Sequence, residues 1–206
     1  MVREYKFYGW QDTDIKPVDE EYAVIKDPKM LYDVLSEIWS KDTCAPRLRD
    51  RWTKYNMTLG QCSITAFLTQ DIFGGKVYGI PREGGNYHCY NVVDGHVFDL
   101  TSEQFGDEVL VYDCESEQFR DTHFAKTEKH ERYIYLKNEL KKKLGKLKMI
   151  SLLDRAIKGD ADAAGEVALA YYTGDLGAVN LQKAKKWALY AAKRGSKVDL
   201  ERIIKL

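Results

Sequence analysis

The chain has no excess charge of either sign. Its 32 lysines and arginines are balanced by 32 aspartates and glutamates. Without a broad basic footprint, nucleic acid is not expected as a partner. No apolar run approaches the ~18 residues that a membrane-spanning helix needs, so no membrane is expected as a partner either. The opening MVREYKFYGWQDTD lacks the apolar stretch of roughly 7–15 residues of a secretion signal. A cytoplasmic protein is the expectation. The four cysteines, Cys44, Cys62, Cys89 and Cys114, form no Cys-x-x-Cys pair. They are expected to be thiols rather than a disulfide framework. The four histidines, His88, His96, His123 and His130, show no zinc-ligand spacing, and neither a metal nor a cofactor is expected.

What is present is apolar residue enough for a core, 44% of 206 positions, and a change of pattern along the chain. Residues 1–26 read as an N-terminal extension, with a short aromatic strand over Glu4 to Trp10. Asp27-Pro28 is an N-cap followed by proline at the first helical position. Leu31, Val34, Leu35 and Ile38 then recur at helical spacing. A second helix starts near Cys62, carries Ile64, Phe67, Leu68 and Ile72 on its apolar stripe, and stops at Gly74-Gly75. Strands follow over residues 76–80, 86–93 and 96–101, and a fourth over Glu108 to Asp113. Asp94-Gly95 marks a two-residue hairpin. Lys126 to Leu144 is a charged helix that ends at Gly145. Beyond it the chain is helical and alanine-rich, with stops at Gly159, Gly174 and Gly195. The order of a helix and then a meander of strands predicts an α+β fold with an all-α extension. The divisions expected are 1–26, a core over 27–125, a linking helix over 126–146, and a helical region over 147–206.

The hairpin carries the chemistry. With a two-residue turn, Val93 pairs with His96, Tyr90 faces Asp99, and His88 faces Thr101. Side chains alternate along a strand, so His88, Tyr90, Asp99 and Thr101 share one face. His88 and Asp99 are diagonal neighbours within ~7–8 Å. A carboxylate there fixes the imidazole tautomer and stabilises its cation. His96 and Cys89 fall on the opposite face, and Cys89 reads as core. Cys62 stands in the first turn of its helix, where the dipole and unpaired amides favour a thiolate and offer donors to an oxyanion. Cysteine, histidine and aspartate in this order supply nucleophile, base and orienter. Asn56, Gln61, Trp52 and Tyr90 are the candidates for oxyanion or substrate contacts. Arg47, Arg49 and Arg51 are candidates to recognise an acidic group near the cleft, and a solvated loop explains them equally well. Each residue alone also has a structural reading: a buried cysteine, a strand histidine, a turn-capping aspartate.

The blocks Gly-Gln-Cys-Ser-Ile-Thr-Ala, His88-Cys-Tyr-Asn and Phe98-Asp-Leu-Thr resemble those of transglutaminase-like, papain-type proteins and peptide N-glycanases. More closely, residues 31–144 resemble the small bacterial YunG-like family. The shared features are Trp52, Gly60-Gln61-Cys62, Thr65-Ala66, Gln70-Asp71, Phe73-Gly74-Gly75, His88-Cys89-Tyr90-Asn91 and the run from Asp99 to Phe105. The wider superfamily implies a papain/transglutaminase-like core and acyl transfer through a thioester, as a hydrolase or acyltransferase on amide or ester bonds, with a peptide or protein amide as substrate. It also contains members that have lost activity. Residues 153–195 resemble a Sel-one-like repeat, a relative of the tetratricopeptide unit, through Ala168-Leu-Ala-Tyr-Tyr-Thr-Gly174, Leu181-Gln-Lys-Ala-Lys-Lys-Trp187 and Ala191-Ala192-Lys-Arg-Gly195. One such unit cannot bury its stacking faces alone. This gives residues 147–206 a protein partner as a second expectation: an interaction module with a degenerate triad. A third is redox sensing at Cys62, for which the sequence offers no neighbouring resolving cysteine, leaving Cys44 as the one that could approach in space.

Overall fold

A computed structural model describes residues 4–12 and 14–206. The chain divides into two compact units, one running to Leu140 and the other from Lys141 to Leu206.

In the first unit, helix α1 spans Pro28–Ser36. The Asp27 carboxylate accepts from the Met30 amide at 2.8 Å, as an N-cap should. Leu31, Val34 and Leu35 are buried on one stripe. A 3₁₀ turn over Pro46–Arg51 leads toward helix α2, Cys62–Phe73. Helix α2 is the centre of this unit: Ile64, Phe67, Leu68 and Ile72 are fully buried. Each such side chain contributes roughly 1.5–3 kcal/mol. The helix ends because Gly74 and Gly75 take φ of +75° and +71°. A Cβ on Gly75 would fall 2.3 Å from the Val92 carbonyl oxygen, so the chain can turn back this closely only at glycine.

Strands β1 (Lys76–Arg82), β2 (Asn86–Val93) and β3 (His96–Phe98) form one antiparallel sheet in the order β1-β2-β3. Val93 pairs with His96 and Asn91 with Phe98, the register that the Asp94-Gly95 turn predicts. Asp94 and Gly95 both have positive φ, 49° and 84°, as a type I′ turn requires. The Asn91 amide donates to the Ala66 carbonyl at 2.9 Å and ties β2 to α2. Asp71, near the end of α2, accepts from Arg120 at 2.5 Å, from Lys137 at 2.9 Å, and from the Tyr133 hydroxyl.

Three predicted elements differ. The third strand stops at Phe98 rather than Thr101, because the Asp99 carboxylate accepts from the Thr101 amide and hydroxyl and turns the chain out of the ladder. Glu4 to Trp10 forms a single bridge, Tyr8 with Asp99, instead of a strand. The fourth strand, Glu108 to Asp113, is irregular; Val109 and Val111 are exposed at 90% and 64% and find no apolar face to cover. The free edge of β1 is met instead by Ser116 to Gln118, through Gly79 N–H to Ser116 O and Gln118 N–H to Val77 O.

A short helix α3, Arg120–Phe124, precedes helix α4, Thr127–Ile157. Gly145 does not stop α4 as predicted. An interior glycine costs about 1 kcal/mol relative to alanine, and the leucines, lysines and methionine on either side are good helix formers that carry the helix through.

The second unit holds the end of α4 with α5 (Ala161–Thr173), α6 (Leu181–Lys193) and α7 (Glu201–Ile204). Asp160 and Asn180 cap α5 and α6 by accepting from Ala163 and Lys183 N–H, both at 2.9 Å. Ala164 and Ala168 of α5 and Ala184, Ala188 and Ala191 of α6 are fully buried in one core with Leu152, Val167 and Ile203. Trp187, Tyr171 and Tyr190 pack against it. Small residues let the helix backbones come close, and the rings fill what remains. The architecture is thus mixed α with a small antiparallel sheet and a helical C-terminal region. Among the described residues, no helix is long and apolar enough to cross a membrane.

Candidate functional site

A cleft of about 1050 Å³ opens in the first unit where α2 begins. Cys62, His88 and Cys89 line it. Cys62 is the first residue of α2, and Gln61, at the cap position, provides no side-chain cap. The amides of this first turn have no partner within the helix. They and the positive end of the helix dipole lie beside the sulfur. Gly60 makes the approach possible with a φ of +71°; a Cβ there would sit 2.8 Å from the Cys44 sulfur. Arg132 fixes the same loop from beneath, donating to the Gly60 carbonyl at 2.9 Å and to the Thr43 carbonyl at 2.7 Å.

His88 lies on β2 and is 2% exposed; Asp99, just past β3, is 1% exposed. Nε2 of His88 lies 2.5 Å from Oδ2 of Asp99. The other nitrogen, Nδ1, is buried without a hydrogen-bond partner, so it remains available to Cys62. Asp99 is held from three further directions: the Thr101 amide at 2.9 Å, the Thr101 hydroxyl at 3.0 Å, and the Tyr112 hydroxyl at 3.0 Å. Tyr112 stacks on Tyr8, with ring centroids 3.9 Å apart. Phe105 sets its ring edge-on to the imidazole at 4.6 Å. The imidazole therefore has little freedom to rotate.

The electrostatics follow from these neighbours. Burial disfavours the His88 cation, but the Asp99 charge and hydrogen bond overcome it, and with Cys62 they push His88 up to about 10. The Cys62 thiol is held well below its usual range. The neighbouring Cys89 side chain is the largest cause, burial opposes, and His88 adds. Cys89 is driven the opposite way, well above the usual thiol range, by Cys62 and then by burial. These directions favour a thiolate on Cys62 beside a His88 imidazolium, with Cys89 as the thiol that keeps its proton.

Cys62, His88 and Asp99, expected together from the sequence, do come together. The four expected oxyanion or substrate contacts do not line the cleft. Gln61 is fully buried, its amide donating to the Ser40 carbonyl at 3.1 Å. The Trp52 indole donates to Met57 O, and the Asn56 backbone amide closes a turn with Thr53 while its side-chain oxygen is buried without a partner. The Tyr90 hydroxyl accepts from Cys114 N–H. Each is placed by its own loop or core, which a pattern of residue types does not reveal.

Three residues of the site escape sequence reasoning. Cys89 reads as core by strand alternation and is buried at 2% exposure, but it lines the cleft as well. The Cys62 sulfur approaches β2 at the backbone, 4.0 Å from the Tyr87 carbonyl oxygen. Consecutive residues His88 and Cys89 both line the cleft with it. Tyr112 sits in an irregular segment with no periodic signal. His123, on α3, also lines the cleft. Its Nδ1 accepts from Lys129 at 3.3 Å, while burial and then the Lys129 charge push it down to about 4. It is therefore neutral, with an N–H on a buried Nε2 that has no partner. Among the described residues, no three His, Cys, Asp or Glu side chains converge as a metal-ligand set.

With this geometry in view, comparison with known proteins is specific. The profile of the YunG protein family matches residues 27–145. The chain is also 38% identical over 72 residues to the Bacillus subtilis (strain 168) protein titled "Uncharacterized protein YunG". That match takes in 35% of this chain and 57% of the relative's length. No solved structure matches significantly. The family match runs from the N-cap of α1 into α4, through Cys62, His88 and Asp99, and takes in more than half of the chain. The chain belongs to the YunG family.

Proposed function

We propose that the protein is a thiol-dependent hydrolase or acyltransferase acting on amide or ester bonds. The observation that carries this reading is the meeting, in one open cleft, of a low-pKa thiol at a helix start with an imidazole locked to a buried carboxylate. Cys62 attacks the carbonyl carbon as a thiolate. The α2 amides at Cys62 and Ser63 stabilise the oxyanion. His88 gives its proton to the departing amine or alcohol, leaving a thioester on Cys62. His88 then takes a proton from water or from an acceptor amine, which attacks the thioester and releases Cys62. Asp99 keeps Nε2 engaged, so that Nδ1 is the nitrogen that exchanges the proton.

The finer affiliation belongs to the same proposal. A cysteine on a helix packed on an antiparallel sheet, with histidine and aspartate from adjoining strand ends, supports a transglutaminase-like, papain-type core. The alanine-faced packing of α5 on α6 supports a Sel-one-like unit in the second unit of the chain. The test is direct. Incubation with a panel of p-nitrophenyl esters and peptide amides, followed by intact mass analysis, should trap an acyl adduct on Cys62 that Cys62→Ala abolishes. Iodoacetamide alkylation of Cys62 should have a midpoint below that of a free thiol, ~8.5. A midpoint at the free-thiol value, with no adduct, would defeat the reading.

A further inference from the structure

The cleft that exposes Cys62 is strongly cationic in a chain whose total charge is zero. Arg47 and Arg51 come from the 3₁₀ turn, Arg82 from β1, and Lys126, Lys129 and Arg132 from the start of α4 and the residue before it. Glu83 and Glu128 are the acids on the same lining.

Two of these cations are used by the fold. Arg82 binds Glu108 through both nitrogens, at 2.6 and 2.9 Å, and rests on the Phe105 ring. Arg132 is buried and bonded to Thr43 O, Gly60 O and Glu128. Glu128 is thereby taken as well. The other four, Arg47, Arg51, Lys126 and Lys129, have no carboxylate within ion-pairing distance among the described residues. Lys129 is half-buried, and its near neighbour is the neutral His123 ring. Burial first, and then the Lys126 charge, disfavour its ammonium. Four cations without acidic partners, drawn from two separate segments onto one cleft, give it a positive field that attracts an incoming anion.

The Cys62 and His88 charges cancel each other and so do not answer this excess. At about 1050 Å³ the cleft exceeds the upper range of small-ligand pockets. It has room for groups well beyond the reacting carbonyl. Arg49, the third arginine of the sequence triplet, turns away and donates to the Cys44 carbonyl at 3.3 Å. The selection of Arg47 and Arg51, and not Arg49, is a feature of the tertiary fold.

We infer that the substrate is an acidic acyl compound, an amide or ester whose neighbouring residues carry carboxylates, and that Arg47, Arg51, Lys126 and Lys129 form the subsite that holds them. The inference rests on the thiol-nucleophile reading above and adds its substrate class. Arginine forks receive a carboxylate through two donors, and the lysines add mobile point charges.

Matched affinity labels test it. Iodoacetyl-Asp-Asp-amide and iodoacetyl-Asn-Asn-amide are nearly isosteric and differ in charge. On the full chain, the acidic label should alkylate Cys62 about tenfold faster than the neutral one at low salt, and the preference should shrink on going from about 0.05 to about 0.5 M salt. Arg47→Gln with Arg51→Gln should cut the ratio by at least about threefold, as should Lys126→Gln with Lys129→Gln. Lys54→Gln, an exposed charge outside the cleft, should leave the ratio intact and so control for net charge. Thermal melts confirm that each variant is folded. Fast but equal alkylation by both labels would overturn the acidic-substrate inference and leave the nucleophile standing. Labels no faster than on a free cysteine would overturn both. A preference that Lys54→Gln reduces as much as the cleft variants do would also overturn the subsite, since it would then be a whole-protein field.

Discussion

Asp99→Asn isolates the charge on which the site depends while keeping its shape. The substituted amide retains an oxygen that can accept from Thr101, and its nitrogen is the same size as the oxygen it replaces. What disappears is one negative charge 2.5 Å from His88 Nε2, together with the Oδ2 acceptor that also takes the Tyr112 hydroxyl. With the charge centres about 4 Å apart and an effective dielectric of about 20, the lost attraction is about 4 kcal/mol. Both partners are almost fully buried, at 2% and 1% exposure, so solvent screening removes little of this. At 1.36 kcal/mol per pH unit, the His88 midpoint falls by about three units, from about 10 to about 7. The chain has four histidines, so imidazole-labelled NMR titration can follow each of them, with a His88 variant to assign the signal. Iodoacetamide alkylation of Cys62 below neutral pH should slow in parallel, because a neutral imidazole stabilises a thiolate less. A His88 that still titrates near 10 in Asp99→Asn would refute the claim that this carboxylate holds the imidazolium.

Three further outcomes are expected. Cys89→Ala removes the donor that most lowers the Cys62 thiol, so the alkylation midpoint of Cys62 should rise; an unchanged midpoint would show that Cys89 is only packing. The pH dependence of stability should contain a plateau set by the ion pair. His88, raised to about 10 from an unfolded value of 6.5, contributes stability that is full below 6.5 and is lost as pH rises through about 10. Cys62, lowered from an unfolded value of 9.0, contributes stability that is full above 9.0 and is lost as pH falls. Between 6.5 and 9.0 the two slopes cancel, because folding only moves a proton from thiol to imidazole. The ultraviolet absorbance of the thiolate, wild type minus Cys62→Ala, should persist across this range; its absence would show that the pair is uncharged. Arg132→Met leaves the Thr43 and Gly60 carbonyls without their buried donor. It should cost about 2–5 kcal/mol by urea unfolding; a loss within about 0.5 kcal/mol would show that the nucleophile loop does not depend on it.

Local rules carried much of the structure. Asp27-Pro28 capped a helix because a carboxylate and a proline suit its first turn. Asp94-Gly95 set a hairpin register because two adjacent positive φ angles leave few alternatives, and that register alone brought His88 toward Asp99. Cys62 at a helix start followed from Gly60 and the apolar stripe behind it. Tertiary structure decided the rest. Gly145 reads as a stop, yet α4 continues through it, because one glycine is a small cost against a long helix. Glu108 to Asp113 reads as a strand and is not one, since a strand needs a partner and β1 pairs instead with Ser116 to Gln118. The direction in which Cys62 approaches β2 recruits Cys89, which alternation assigns to the other face. The same packing turns Gln61 into the core, turns Arg49 onto a backbone carbonyl, and leaves Arg47 and Arg51 on the lining of the cleft. Sequence pattern determines periodicity and turns, which are local properties of the backbone. Which side chains share a cleft depends on the distance and angle between elements far apart in the chain, and only the packed core fixes those.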